Sequence, residues 1–108
     1  MPENPLYQDD RLRIEPHPNS FEDHLVYIKE RNGEEINYIL PRGVLPELAK
    51  VPRGGIERMI SNFNAPLLHL IEQEGIGIDG LHVAICQAYI EQEERINRSV
   101  KEMLREKN

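Results

Sequence analysis

The chain has a single cysteine, Cys86, which excludes an intrachain disulfide. A reducing compartment suits such a chain. It also has no unbroken apolar run approaching the roughly 20 residues that a membrane-spanning helix needs. At its start, MPENPLYQDD, no positively charged stretch leads into an apolar one. No secretory signal is therefore expected, and the expected location is the cytoplasm. Basic residues are in deficit, with 13 Lys and Arg against 19 Asp and Glu and a formal net charge of −6. They are interleaved with acids, and no run of them stands alone. Nucleic-acid binding draws on counterion release by clustered Lys and Arg, so the balance argues against a general DNA or RNA binder. A local basic patch can still survive an acidic total. Also missing are the long glycine pattern and lysine of a phosphate loop, and the paired Cys-x-x-Cys or His-Glu-x-x-His spacings of metal sites. No catalytic signature or cofactor motif stands out.

The 108 residues are the size of one domain. A chain of this length buries about two-thirds of its unfolded surface, enough for one modest core. That leaves little for a deep enclosed cavity, a mild argument against a self-contained enzyme. Hydrophobic residues make up 39% and charged residues 30%. Such a polar composition on a short chain goes with elongation or with subunit burial. Residues 1–10 read as a flexible arm and 11–108 as one domain, with a β-hairpin over 25–40 and a helical part over 43–108.

The expected fold class is α+β. In it an N-terminal β-hairpin, with one extra edge strand, precedes short helices and a C-terminal antiparallel helical hairpin whose last helix is long. Arg11-Leu12-Arg13-Ile14 alternates polar and apolar and suits a short edge strand, ended by Pro16 and Pro18. Leu25–Ile28 and Ile36–Leu40 are β-rich runs flanking Asn32-Gly33, a dipeptide that accepts the positive φ of a tight hairpin turn. With the turn centred there, Ile28 pairs with Asn37 and Val26 with Ile39. Val26, Ile28, Asn37 and Ile39 then share one face, and Tyr27, Tyr38 and Leu40 the other. Beyond Pro41 the pattern turns helical. A two-turn helix spans Gly43 to Lys50, and a second starts after Gly54-Gly55. The NFNAP stretch interrupts that second helix, with Asn64 as a new N-cap, Pro66 in the first turn and Gly75 as C-cap. The last helix is expected from Gly80, capped by Asp79.

Several residue groups are candidates for chemistry. Pro-Arg-Gly occurs twice, at Pro41–Gly43 and Pro52–Gly54. Each triplet precedes a helix start, where unpaired N–H groups and the helix dipole favour an anion. Arg42, Arg53, Gly54, Gly55 and Arg58 form the candidate anion or ligand site, with arginine supplying forked donors for phosphate or carboxylate. The plainer reading is that proline and glycine make turns, while the arginines are solvated or pair with Glu47 or Glu57. His82 and Cys86 lie four apart on one helix and His69 and Glu72 on its partner, a weak zinc set that core packing explains better. The segments bearing Asp9, Asp10, Glu15, Glu22, Asp23 and His24 read as a solvated acidic region, with Ser20–Asp23 a turn or cap. Tyr27 and Tyr38, with Tyr89 or Phe63, suggest base stacking, though cross-strand packing is the simpler account.

The last helix carries Leu81, Ile85, Tyr89, Gln92, Ile96, Val100 and Met103 at spacings of four and three, which define one stripe. About ten residues, or roughly 15 Å, precede its connector, while the last helix runs about 27, or roughly 40 Å. Beyond Gln92 the stripe finds no mate in the chain, and an uncovered stripe is costly in water. A homodimer or higher oligomer is expected, with Ile96, Val100, Met103 and Leu104 at the contact. The function this supports is a small non-enzymatic oligomeric binding module. It would act through a partner protein or through a small anionic ligand held at the arginine-bearing helix starts. Two alternatives stand beside it. One is a compact helix-turn-helix-like regulator built between Leu45 and Phe63, using Arg42, Arg53 and Arg58. The other is an enzyme with a site between subunits.

Overall fold

A computed structural model describes residues 4–106. Four strands form one antiparallel sheet in sequence order: β1 (Tyr7–Gln8), β2 (Leu12–His17), β3 (Ser20–Lys29) and β4 (Glu35–Leu40). Three α-helices follow, α1 (Val44–Lys50), α2 (Ile56–Gln73) and α3 (Gly77–Glu106), with a 3-10 turn over Arg53–Gly55 leading into α2. The fold is α+β.

The sheet extends one strand further toward the N-terminus than the hairpin and edge strand expected from the sequence, because β1 pairs outside β2. Leu6, within the stretch expected as an arm, is buried, and Tyr7–Gln8 pairs with Ile14 and Arg13. Residues 1–3 of that arm lie outside the described residues. The tight β1–β2 turn is held by Asp9, whose carboxylate accepts the backbone N–H groups of Arg11 and Leu12 at 2.8 Å each. β2 is an inner strand along Leu12–Ile14 and runs through Pro16, which pairs with His24. The carbonyls of Leu12 and Ile14 bond toward the β1 side, so the nitrogen of Pro16, two residues on, faces that same side. β1 no longer pairs there, and the missing donor costs nothing. Ser20–Asp23, expected as a turn, is the start of β3.

The β3–β4 register is one residue off the expected one. Val26 pairs with Tyr38, Tyr27 with Asn37 and Ile28 with Ile36. The Gly33 N–H bonds the Glu30 carbonyl at 2.9 Å and the Glu30 N–H bonds the Glu34 carbonyl at 2.7 Å. Gly33, at φ 91°, therefore closes a three-residue Arg31-Asn32-Gly33 loop as its left-handed residue. The turn centre is Arg31-Asn32, not Asn32-Gly33. A slip of one residue turns a whole strand over. Tyr38 and Leu40 thus face inward with Val26 and Ile28, while Asn37 and Ile39 face out, Ile39 at 50% exposure.

Helices cover the inner face. α3 packs on β1 and β2 and against α1 and α2. The core joins Ile14, Val26, Ile28 and Leu40 from the sheet to Leu45, Leu48, Ile56, Ile60, Leu67 and Ile71 from α1 and α2. Leu81, Ala84, Ile85 and Ala88 complete it from α3. Burying each of the larger side chains contributes about 1.5–3 kcal/mol. α2 breaks at Asn64 (φ −161°, ψ 83°), whose Oδ1 accepts the Leu67 N–H at 3.2 Å. This is the expected cap, with Pro66 in the turn it starts. α2 ends with the Ile76 N–H on the Ile71 carbonyl at 3.0 Å and the Gly75 N–H on the Glu72 carbonyl at 3.2 Å. Gly75 at φ 73° supplies the left-handed step this closure requires. α3 then starts at Gly77, earlier than Gly80, and Asp79 lies in its first turn rather than capping it.

Candidate functional site

The two arginine corners take different local forms. Arg42 lies exposed in the turn from β4 into α1, where the Val44 N–H bonds the Pro41 carbonyl at 3.1 Å. Arg53 opens the 3-10 turn, whose closing bond runs from the Gly55 N–H to the Pro52 carbonyl at 2.8 Å. Part of the donor array at the start of α2 is thereby engaged. A Cβ at Gly55 would stand 3.1 Å from Val51 Cγ2, while Gly54 faces open space. The absent side chain at Gly55 therefore lets the turn pack against Val51. Arg53 forks onto Asp79 of α3, with Nε 2.9 Å from Oδ1 and Nη2 bonded to Oδ2. The guanidinium holds the Asp79 carboxyl below its usual range, and the carboxylate holds Arg53 above its own. Asp79 thus occupies the fork an incoming anion would need. Arg58 is exposed on α2 beside Glu57.

The zinc set does not assemble. His69 is exposed on α2, and Cys86 Sγ lies 3.6 Å from the Ala49 carbonyl of α1. Among the described residues no three metal-binding side chains gather. The tyrosine pair separates as well. Tyr38 packs inward on the core, while Tyr27 on the outer face lies under Arg13, whose Cζ is 4.1 Å from the ring centroid. Around the β1–β2 turn an open polar groove of about 600 Å³ is lined by Asp9, Asp10, Glu35, Arg11, Arg13 and Lys29, among others. Its arginines are spoken for, Arg11 by Glu74 and Arg13 by Glu35, both at 2.9 Å. The groove offers no field of one sign.

His24 departs furthest from expectation. It is 1% exposed, not solvated, because β3 turns it inward opposite Pro16 and Leu40. Its Nε2 bonds Gln92 Oε1 of α3, and its Nδ1 is buried without a partner among the described residues. Burial holds its pKa below the ordinary value, although the Gln92 bond and nearby Asp23 act the other way. The alternation of β3 carried the signal, since His24 shares the parity of Val26 and Ile28.

Gln92 also marks where α3 leaves the body. The Arg95 guanidinium donates to the carbonyls of Asn4 and Pro5 at 2.8 and 3.0 Å, and to Glu91 at 3.1 Å. From Ile96 to Arg105 every residue is exposed. Four large apolar side chains lie in that stretch: Ile96 at 49%, Val100 at 48%, Met103 at 61% and Leu104 at 60% exposure. Ile90 and Val83, at 56% and 53%, carry exposed apolar surface back toward the body. That second row was hidden by the all-round apolar character of the first half of α3.

Comparison with protein-family models, with curated proteins and with solved structures finds no match to this chain. The geometry alone therefore bears on function. Among the described residues no helix is long and apolar enough to cross a membrane.

Proposed function

We propose that the protein is a small non-enzymatic binding module that works as an oligomer through the projecting end of α3. The observation that carries this reading is the run of Ile96, Val100, Met103 and Leu104, 48–61% exposed on one helix beyond the body. An isolated helical segment of this length is marginal in water, and a contiguous apolar face on it marks an interaction site. The arginine corners support the reading less, because Asp79 already neutralises Arg53. The lone, partly buried Cys86 fits work in the reducing cytoplasm.

Size-exclusion chromatography with light scattering tests the proposal on the full chain and on the double variant Ile96→Glu/Val100→Glu. The expected result is an oligomer for the parent and a folded monomer for the variant. A parent that stays monomeric at every concentration, or a variant that stays oligomeric, would overturn it.

A further inference from the structure

The tail that serves as the proposed contact is not electrically uniform, and its asymmetry selects a partner and a direction. Residues 91–94 carry three glutamates and no base, while residues 95–105 carry four bases and one glutamate. Glu91 is held within its own chain by Arg95 and Arg98, at 3.1 and 3.6 Å. Glu93 and Glu94 are exposed before the apolar run, and Arg98, Lys101 and Arg105 are exposed along it. A parallel pair of such helices stacks acid on acid and base on base, an arrangement that disfavours association. An antiparallel pair sets each acidic head against the partner's basic end.

The spacing agrees with the charge. Ile96, Val100 and Leu104 form one row at four-residue intervals, and Glu93, Asn97 and Lys101 form the adjacent row. A two-fold axis near Asn97 places Ile96 against the partner's Val100, and Val100 against the partner's Ile96. The same axis sets Glu93 opposite the partner's Lys101 and Asn97 opposite the partner's Asn97. It also brings the partner's Leu104 onto Ile90, whose 56% exposure the tail's own stripe leaves uncovered. The Ile96–Val100 pairing centres on residue 98 and the other pairings on residue 97, about 1.5 Å apart along the helix. Both rows thus fit one antiparallel arrangement, and the contact is self-complementary as a two-fold interface must be.

We propose that two copies of this chain pair antiparallel through α3 about an axis near Asn97. The proposal rests on the tail being the contact surface and adds its occupant, direction and register.

Disulfide trapping tests it in full-length protein carrying Cys86→Ala. Two single variants, Asn97→Cys and Leu104→Cys, are oxidised at concentrations where the protein is oligomeric. Antiparallel pairing brings the two copies of residue 97 together, and separates the two copies of residue 104 by roughly 20 Å along the seam. A disulfide needs Cα atoms within about 7 Å. The expected result is rapid covalent dimer from Asn97→Cys and none from Leu104→Cys. A mixture of Glu93→Cys and Lys101→Cys chains should give the mixed dimer in preference to either self-dimer. Linkage through Leu104→Cys overturns the antiparallel register while leaving the tail as the contact. An oligomer in which neither position links, nor the mixture, overturns both the register and the tail assignment. Absence of any oligomer also overturns both.

Discussion

The two ends of α3 make an instructive pair. They belong to one helix and continue one apolar stripe. Leu81 and Ile85 of the first half are fully buried, whereas Ile96 and Val100 of the second are about half exposed. The difference is not in their spacing but in what lies opposite. The sheet, α1 and α2 all pack on α3, and the described residues leave everything from Ile96 to Arg105 exposed. At the boundary the Arg95 guanidinium reaches Glu91 of its own helix and the backbone at Asn4 and Pro5. Periodicity therefore reports which face seeks cover, and the fold decides whether the same chain provides it.

Mutations that treat the two ends alike sharpen the contrast most. Ile85→Ala should lower unfolding free energy by about 2–5 kcal/mol in denaturant titrations, as cavities in closed cores do. In dilute protein the same change at Ile96 should cost no more than about 0.5 kcal/mol. Equal costs would mean that the tail is covered by its own chain.

Acidification tests the boundary between the ends. His24 is buried and its folded pKa lies below the ordinary 6.5. The fold thus favours the neutral ring, and the stability it gains is complete above that value. It is lost as pH falls from there toward the folded pKa, because the unfolded chain takes up the proton first. The unfolding midpoint should drop between pH 7 and 5, and His24→Leu should flatten that slope. A parent slope already flat would show that the ring is not held neutral.

Asn64→Ala should remove the cap that restarts α2 over the first half of α3. A loss of about 1 kcal/mol is expected in the same titrations. The smallest effect belongs to Arg53→Ala. The Arg53–Asp79 pair is open to solvent, and exposed pairs contribute little. Its thermal midpoint should match the parent's, and a clear drop would make the fork a structural clamp.

Much of this architecture was legible in the residues. The strand-to-helix switch at Pro41, the Asn64 cap and the Gly75 stop are local, set by side chains acting within a turn of themselves. The hairpin register was not. Asn-Gly suits either a two-residue turn or the last two places of a three-residue loop, and Gly33 took the second. That one choice turned Tyr38 inward and left Ile39 out. The fate of Arg53 was equally nonlocal. The sequence offered solvent, Glu47 or Glu57 for the corner arginines, but the α2–α3 connection brings Asp79, 26 residues on, within reach of Arg53. His24 was missed because the residues around it are acidic, although its place in the alternation marks it as inward. The exposed tail was visible as an unmatched stripe, since helix length alone shows the overshoot.

The most direct test follows amide hydrogen exchange along α3 as protein concentration rises. Amides of the first half should exchange slowly at every concentration, because the body covers them. Those from Glu93 to Arg105 should exchange quickly in dilute protein and become protected as copies associate. If tail exchange is fast at all concentrations, or slow even in dilute protein, the claim that a second copy covers this end of the helix is wrong.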